Sequence, residues 1–359
     1  MREKSLFAVI LGLALLRMYD LDFAEVQAWD EAMYAVRARS ILLFGDWLDQ
    51  SAHSVGGLYS AAHPPLYIWL TATAMKLFGE TAVSIRLWSA IFGAGTVLLL
   101  YFLPKDRLSG FFSAFILGTS AFFSFYSRQG QLDVILTFFI VLGIFSFSRY
   151  ETNGRTGWLV LTGLAFGSAF MSKIMVGLFL PMALGAYLLL IVLRRDRRFS
   201  AAALEWLTVL GVGLVLALPW HIYMFFEHGR SFLDQYFIFH VLQRSIVGVE
   251  LNVQTLGPLF FTNQLVVLFS AAAAVAAWRI SRLGFRRGDL SLFYLFAFLL
   301  PFVVFSLSRT QLRTYAIPML PPLALLAGEG LRRLWSDDRI SWIVFAGAGI
   351  CSIWASSQN

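Results

Sequence analysis

Asp30 and Glu31 stand side by side in "AEVQAWDEAMYAVRARSILLFGDW" (24–47), a charged stretch in an otherwise apolar chain. At helical spacing Asp30, Tyr34 and Arg37 share one stripe and Glu31 projects farther round. Trp29, Met33, Val36, Leu43 and Trp47 line an apolar face with Ser40 its only polar interruption. A carboxylate held there can take a proton from an attacking hydroxyl or hold a divalent cation; the alternative is an interfacial helix whose polar side is solvated. Asp133, in "YSRQGQLDVILTFF", opens a long apolar run. An acid there is either a functional group at depth or a helix-start acid favoured by the helix dipole. Arg128, five residues earlier, suits an ion pair or a phosphate contact. Lys173, in "GLAFGSAFMSKIMVGLFLP", is a single lysine between two apolar runs. It either snorkels or points its cation into a cavity where anionic headgroups sit.

Two further groups follow. "LPWHIYMFFEHGRSFLDQYFIFHVLQR" (218–244) interleaves His221, Tyr223, His240 and Arg244 with aromatic residues; a membrane-interface belt accounts for the rings but not for the histidines and arginine. "FSLSRTQLRTYAIPMLPPLALL" (305–326) carries Arg309, Arg313 and Tyr315. Two arginines at that spacing share a helical face and suit a phosphate, with plain surface arginines as the alternative. No HExxH, P-loop, GxSxG or Rossmann glycine pattern occurs. The five histidines (His53, His63, His221, His228, His240) are irregularly spaced, so a metal stays an open question, with Asp30 the candidate ligand.

The elements that must position these residues are membrane helices. The chain is 58% apolar and 14% charged, far from the roughly 25% charged residues of soluble domains. Apolar runs near the ~20 residues of a span recur along it. The expected fold is an all-α polytopic membrane protein of about eleven spans, near 5–19, 85–103, 110–126, 132–149, 157–172, 174–193, 201–219, 258–278, 290–307, 314–331 and 340–356. The first reads as a retained signal anchor, because no cleavage site follows it. "PPLYIWLTATAMKLF" (64–78) is expected to dip into or lie along one leaflet, with a true crossing as the alternative.

The net charge of +7 is explained by basic residues gathered in short loops, "RRDRR" at 194–198 among them, and not by nucleic acid. With those loops cytoplasmic, the long outer segments are 20–84, with its amphipathic helices, and 220–257. All five histidines and every candidate residue above fall on the outer face. Residues 1–359 are expected to form a single transmembrane domain with no separate soluble one among them, and the one cysteine, Cys351, excludes an internal disulfide framework.

Taken in order, "AWDEAMYAVRARSILLFGDW", "HPPLYIWLTATAMKLFG", "SIRLWSAIFGAGTVLLLY", "SRQGQLDVILTFF", "GLAFGSAFMSKIMVGLFLP", "LALPWHIYMFFEHGRSFLDQYFIFHVLQR" and "SRTQLRTYAIPMLPP" resemble the membrane glycosyltransferases of GT-C architecture that take a sugar from a polyprenyl phosphate. The protein O-mannosyltransferases and the lipid A aminoarabinose transferase belong there. The resemblance runs from about residue 12 to 328. It implies an active site facing the periplasm or exterior of a prokaryotic cytoplasmic membrane. Asp30 would be the catalytic carboxylate, Glu31 its companion and Asp133 the second acidic position. His63, before Pro-Pro, stands where mannosyltransferases have histidine and aminoarabinose-type members often have lysine. Lys173, His240 and Arg244 match family positions, and Arg309 and Arg313 stand where lysines are usual. Arg128, Tyr223 and Tyr315 complete the expected donor-binding set.

The implied reaction moves a sugar from a polyprenyl-phosphate donor to an acceptor hydroxyl or phosphate of a lipid, glycan or protein, with inversion. No cofactor is required by the pattern, and a divalent metal stays open. A transporter or flippase of lipid-linked sugars is the competing class, although no inverted repeat is visible; a catalytically dead scaffold is a third. The family pattern continues into further spans and a soluble domain. The sequence stops at Asn359, which leaves a minimal member or a truncated sequence as the two readings.

Overall fold

The computed structural model describes residues 3–248 and 290–335, with side chains to Arg332. The expected spans at 258–278 and 340–356 and the end of the second outer segment lie outside the described residues. Within them all regular structure is helical: α1 Glu3–Leu15, α2 Asp30–Phe44, α3 Leu58–Ala61, α4 Leu66–Phe78, α5 Ala82–Phe102, α6 Arg107–Thr119, α7 Ala121–Ser127, α8 Leu132–Asn153, α9 Thr156–Phe170, α10 Phe179–Leu193, α11 Phe199–His228, α12 Ser291–Leu307 and α13 Leu320–Trp335. Short helical turns at 230–246, including a π-helical stretch Asp234–Gln243, continue from α11, and a 3-10 turn, Arg313–Met319, leads into α13.

Local chemistry sets the boundaries. The Thr81 hydroxyl accepts from the Ser84 N–H and opens α5; the Asp106 carboxylate does the same for Leu108 in α6. Gly45, at φ 80, closes α2 in the left-handed conformation that glycine adopts without strain.

Four helices are long and apolar enough to cross a membrane: α5, α8, Val176–Leu193 (α10 with the turn before it) and α11. The pair α6 and α7, bent by 68°, makes a fifth if it is one broken span. The expected count of about eleven is not reached among the described residues. α9 and α12, at 15 and 17 residues, fall short of the ~20 that a straight crossing needs. α4 has 13 residues after Pro65, roughly 20 Å at 1.5 Å per residue, too short to cross a ~30 Å core.

α8 packs on α9, α9 on α11, α10 on α12, and α13 on α6. The α9–α11 contact depends on glycine. A Cβ on Gly163 would lie 2.6 Å from the Val212 Cβ, and one on Gly167 would lie 2.7 Å from the Gly213 carbonyl oxygen. Small residues four apart let the two backbones meet.

A second, smaller core fixes α2: Tyr34, Ala38 and Ile41 pack with Tyr67, Ile68 and Ala72 of α4, Ile85 of α5, and Leu132 and Ile135 of α8. The buried side of α2 therefore holds Glu31, Tyr34 and Arg37 together, while Val36 and Leu43 face outward. The helix turns its polar stripe into the protein and its apolar stripe away from it. Glu31 belongs to the buried side and does not stand apart, as the spacing alone suggested.

Candidate active site

Glu31 is fully buried and fully used. Its carboxylate accepts from Arg86 Nε and Nη2 at 2.8 and 2.9 Å, from the Gln27 N–H at 2.8 Å and from the Gly130 N–H at 2.6 Å. Burial alone would raise its pKa, but the Arg86 hydrogen bonds, then the two backbone donors, outweigh it and hold the carboxyl below its ordinary range. Arg86, also without exposure, donates further to the carbonyls of Leu21, Ala24 and Glu25. This one pair thus joins the loop before Asp30 to the loop before Asp133. Gly130 leaves the room for it, because a Cβ there would lie 2.9 Å from the Tyr67 hydroxyl and 3.1 Å from Glu31 Cγ.

Asp30, the first residue of α2, has no side-chain partner among the described residues and is half-buried. It lies near enough to Asp133 for the two charges to interact. Trp29 before it is 74% exposed and sits at φ 72, ψ −109. A non-glycine residue in such a region costs of order 1–3 kcal/mol and marks a backbone held in place by its surroundings.

Asp133 is 3% exposed, and Lys173 Nζ donates to both its carboxylate oxygens at 2.7 and 2.9 Å. The same ammonium lies 5.0 Å from the centre of the Tyr315 ring, whose face attracts it. Tyr315 is stacked on Phe305 at 4.4 Å. The Lys173 turn is tied to α4, where the Leu66 N–H donates to the Met171 carbonyl.

His63 and His240 meet with ring centres 4.4 Å apart. His240 Nε2 bonds the Tyr59 carbonyl at 2.9 Å, and Arg37 donates to the carbonyls of Ser60 and His63. Burial, then the nearby charges of His240, Arg244, Arg37 and Lys173, pushes His63 well below its usual pKa. Burial likewise lowers His240 to about 4. Both imidazoles are neutral at pH 7 and stand among cations. Arg244 holds the 308–310 turn through its carbonyl, which accepts from the Thr310 N–H at 3.0 Å.

The structure thus brings Asp30, Glu31, His63, Asp133, Lys173, His240, Arg244 and Tyr315 into one region at one end of the helices. The other expected residues lie at its margins. Arg128 turns to the Asp20 carbonyl at 2.8 Å, with Phe23 under its guanidinium, and not to Asp133, whose partner is Lys173. Arg309 and Arg313 are exposed, Arg313 within electrostatic reach of Tyr126. Tyr223 is exposed on α11, on the side of Glu227 and Asp49. His221 bonds the Tyr236 hydroxyl at 2.9 Å. Among the described residues no three His, Cys, Asp or Glu side chains form a metal cage. The Nδ1 atoms of His63 and His240 are both buried without a hydrogen-bond partner. Arg86, Gly130 and Arg37 were not among the expected site residues; an arginine inside the apolar run 82–102 is the signal that points to Arg86.

Residues 62–223 match the family model described as dolichyl-phosphate-mannose-protein mannosyltransferase. The chain is 28% identical over 352 residues to an undecaprenyl phosphate-alpha-4-amino-4-deoxy-L-arabinose arabinosyl transferase of Pseudomonas fluorescens, covering 92% of this chain and 60% of the relative. Its fold is that of ArnT from Cupriavidus metallidurans, solved with undecaprenyl phosphate bound: the TM-score is 0.75 at 22% identity, over 96% of this chain and 63% of that one. The archaeal oligosaccharyltransferase AglB from Archaeoglobus fulgidus, solved with an inhibitory peptide and a dolichol-phosphate, is similar at a TM-score of 0.66 and 14% identity, over 99% of this chain and 55% of that one.

Proposed function

We propose that this chain, a GT-C-fold relative of the polyprenyl-phosphate-sugar glycosyltransferases, transfers a sugar from a polyprenyl phosphate to an acceptor hydroxyl or phosphate. The observation that carries the reading is the placement of Asp30, a carboxylate with no side-chain partner among the described residues, beside the buried Asp133–Lys173 pair and a group of cations.

In this reading Asp30 takes the proton of the acceptor hydroxyl as its oxygen attacks the anomeric carbon. The new C–O bond forms on the face opposite the bond to the phosphate, which breaks with its electron pair. One displacement inverts the anomeric centre. The departing polyprenyl phosphate gains negative charge, and Lys173 and Arg244, with Arg309 and Arg313 at the rim, are placed to stabilise it. Glu31, committed to Arg86, positions the Asp30 backbone and takes no part in proton transfer. Should a divalent cation take part, Asp30 is the carboxylate that would hold it, and it would supply charge to the leaving phosphate. We also place the site on the outer face of the membrane, as the basic loops at the opposite helix ends favour.

The test is transfer from radiolabelled polyprenyl-phosphate sugars into native membrane extract by the purified full chain, with and without EDTA. Asp30→Asn is expected to lose about 10²–10⁴-fold in rate while still binding donor. Undiminished transfer by the variant would remove Asp30 from the chemistry. Donor that is moved across vesicles but never consumed would make the protein a flippase.

A further inference from the structure

The "RRDRR" loop joins α10 to α11 at the helix ends opposite Lys173, and the proposed transfer makes no use of it. It is a built loop, not a loose charge run. Arg197 donates to Glu205 at 2.6 Å and Glu151 at 2.7 Å, and the Tyr150 hydroxyl donates to Glu205 at 3.0 Å. Arg195 is held at φ 62, a left-handed conformation uncommon outside glycine, and the Asp196 N–H returns to the Ile191 carbonyl at 3.0 Å.

Fixed in this way, the loop wraps a surface hollow of about 640 Å³ whose lining includes Arg195, Asp196, Arg197 and Arg198. Arg197 spends its charge on two glutamates. Arg195 and Arg198 have no side-chain partner among the described residues. On either side of the loop Leu193 and Phe199 are 70% and 71% exposed, the arrangement expected where a charged loop meets the acyl region of a leaflet.

We propose that this hollow binds a phosphate group, supplied by an anionic phospholipid of the leaflet at that end. Arg195 and Arg198 donate to the headgroup phosphate, and Leu193 and Phe199 meet the acyl chains. Guanidinium groups match phosphate oxygens in geometry as well as charge, and basic pockets at the ends of membrane helices take acidic headgroups. Asp196 sets the preference between sources. Its carboxylate in the hollow tolerates the single charge of a phosphodiester better than the nearly double charge of free phosphate at pH 7.

The full chain in neutral detergent is titrated with dioctanoyl phosphatidylglycerol, dioctanoyl phosphatidylcholine and inorganic phosphate, with bound ligand followed by native mass spectrometry. Phosphatidylglycerol is expected to bind in preference to phosphatidylcholine. Arg195→Gln and Arg198→Gln are each expected to weaken it about fivefold, the effect of one basic residue at an anionic surface. Both side chains are exposed, so the two variants should keep the unliganded melting temperature, which is measured alongside; Arg197→Gln, by contrast, should lower it. Inorganic phosphate that binds and depends on the same two arginines, with phosphatidylglycerol adding nothing, keeps the phosphate site and rejects the lipid as its source. Equal binding of both lipids, or of phosphatidylglycerol to wild type and to a variant carrying both Arg195→Gln and Arg198→Gln, overturns the proposal. None of these readouts depends on sugar transfer.

Discussion

Lys173 and Asp133 form the most consequential pair at the candidate site, because each would be a buried, unpaired charge without the other. Removing one partner of such a pair typically costs about 3–5 kcal/mol. Asp133→Asn and Lys173→Gln should each destabilise the protein by that order, and the double variant by clearly less than their sum. Unfolding in mixed micelles measures all three, and strict additivity would mean that the pair is not coupled. His240 gives a pH signature. Its folded pKa of about 4 lies below the ordinary 6.5, so between those values the unfolded chain binds more protons than the folded one. Stability should therefore be flat above pH 6.5 and fall on acidification, by about 3 kcal/mol at pH 4 from this residue. His240→Gln, which keeps a donor for the Tyr59 carbonyl, should reduce that slope and leave the share that the buried His63 contributes; an unchanged slope would assign it elsewhere. The residue types at the site were legible in the sequence, as polar groups at the edges of apolar runs. Their pairings were not. Spacing offered Arg128 to Asp133, and the partner is a lysine forty residues on, reached only when α8 and α9 lie side by side.

At the scale of elements, a single arginine on α5 orders two loops and the start of α2. Arg86→Lys keeps the charge but loses the planar fork that engages both Glu31 oxygens and three carbonyls. It should lower the thermal midpoint markedly and reduce transfer. Donor affinity should fall with it, because both carboxylate-bearing loops loosen; a variant with wild-type melting and donor binding would show that the pair only fills space. Hydrophobic runs located the helices well: α5, α8, α10 and α11 fall where apolar stretches predict them. They located faces less well. On α2 spacing left open whether the polar stripe is solvated or held, and it is the buried one, since the small core with α4 and α5 takes Tyr34 and Arg37 inward. Periodicity reports that a helix has two sides, and only the neighbours decide which side is inside.

At the scale of the molecule, two populations of charge occupy opposite ends of the helices: the site with its histidines at one, the "RRDRR" loop at the other. If the basic end is cytoplasmic, a membrane-impermeant maleimide should label Ala52→Cys in intact cells and Ser200→Cys only after permeabilisation, both in a Cys351→Ser background. The reverse pattern would invert the proposed orientation. Composition made a membrane protein legible at once, whereas the number of crossings was not. Several apolar helices are shorter than a bilayer is thick, and hydropathy does not say whether such a helix crosses, tilts or turns back.

The Asp133–Lys173 pair also bears on how the site fills. A lysine already neutralised by a resident carboxylate is not a vacant positive charge awaiting a phosphate. In the proposed transfer an arriving donor phosphate would have to displace that carboxylate, and the departing product would yield the lysine back to it. The site then behaves as an ion exchanger with one slot. The displaced carboxylate stays tethered beside the slot, so loading adds the donor's negative charge to the site, and that crowded carboxylate is the competitor that drives the product out.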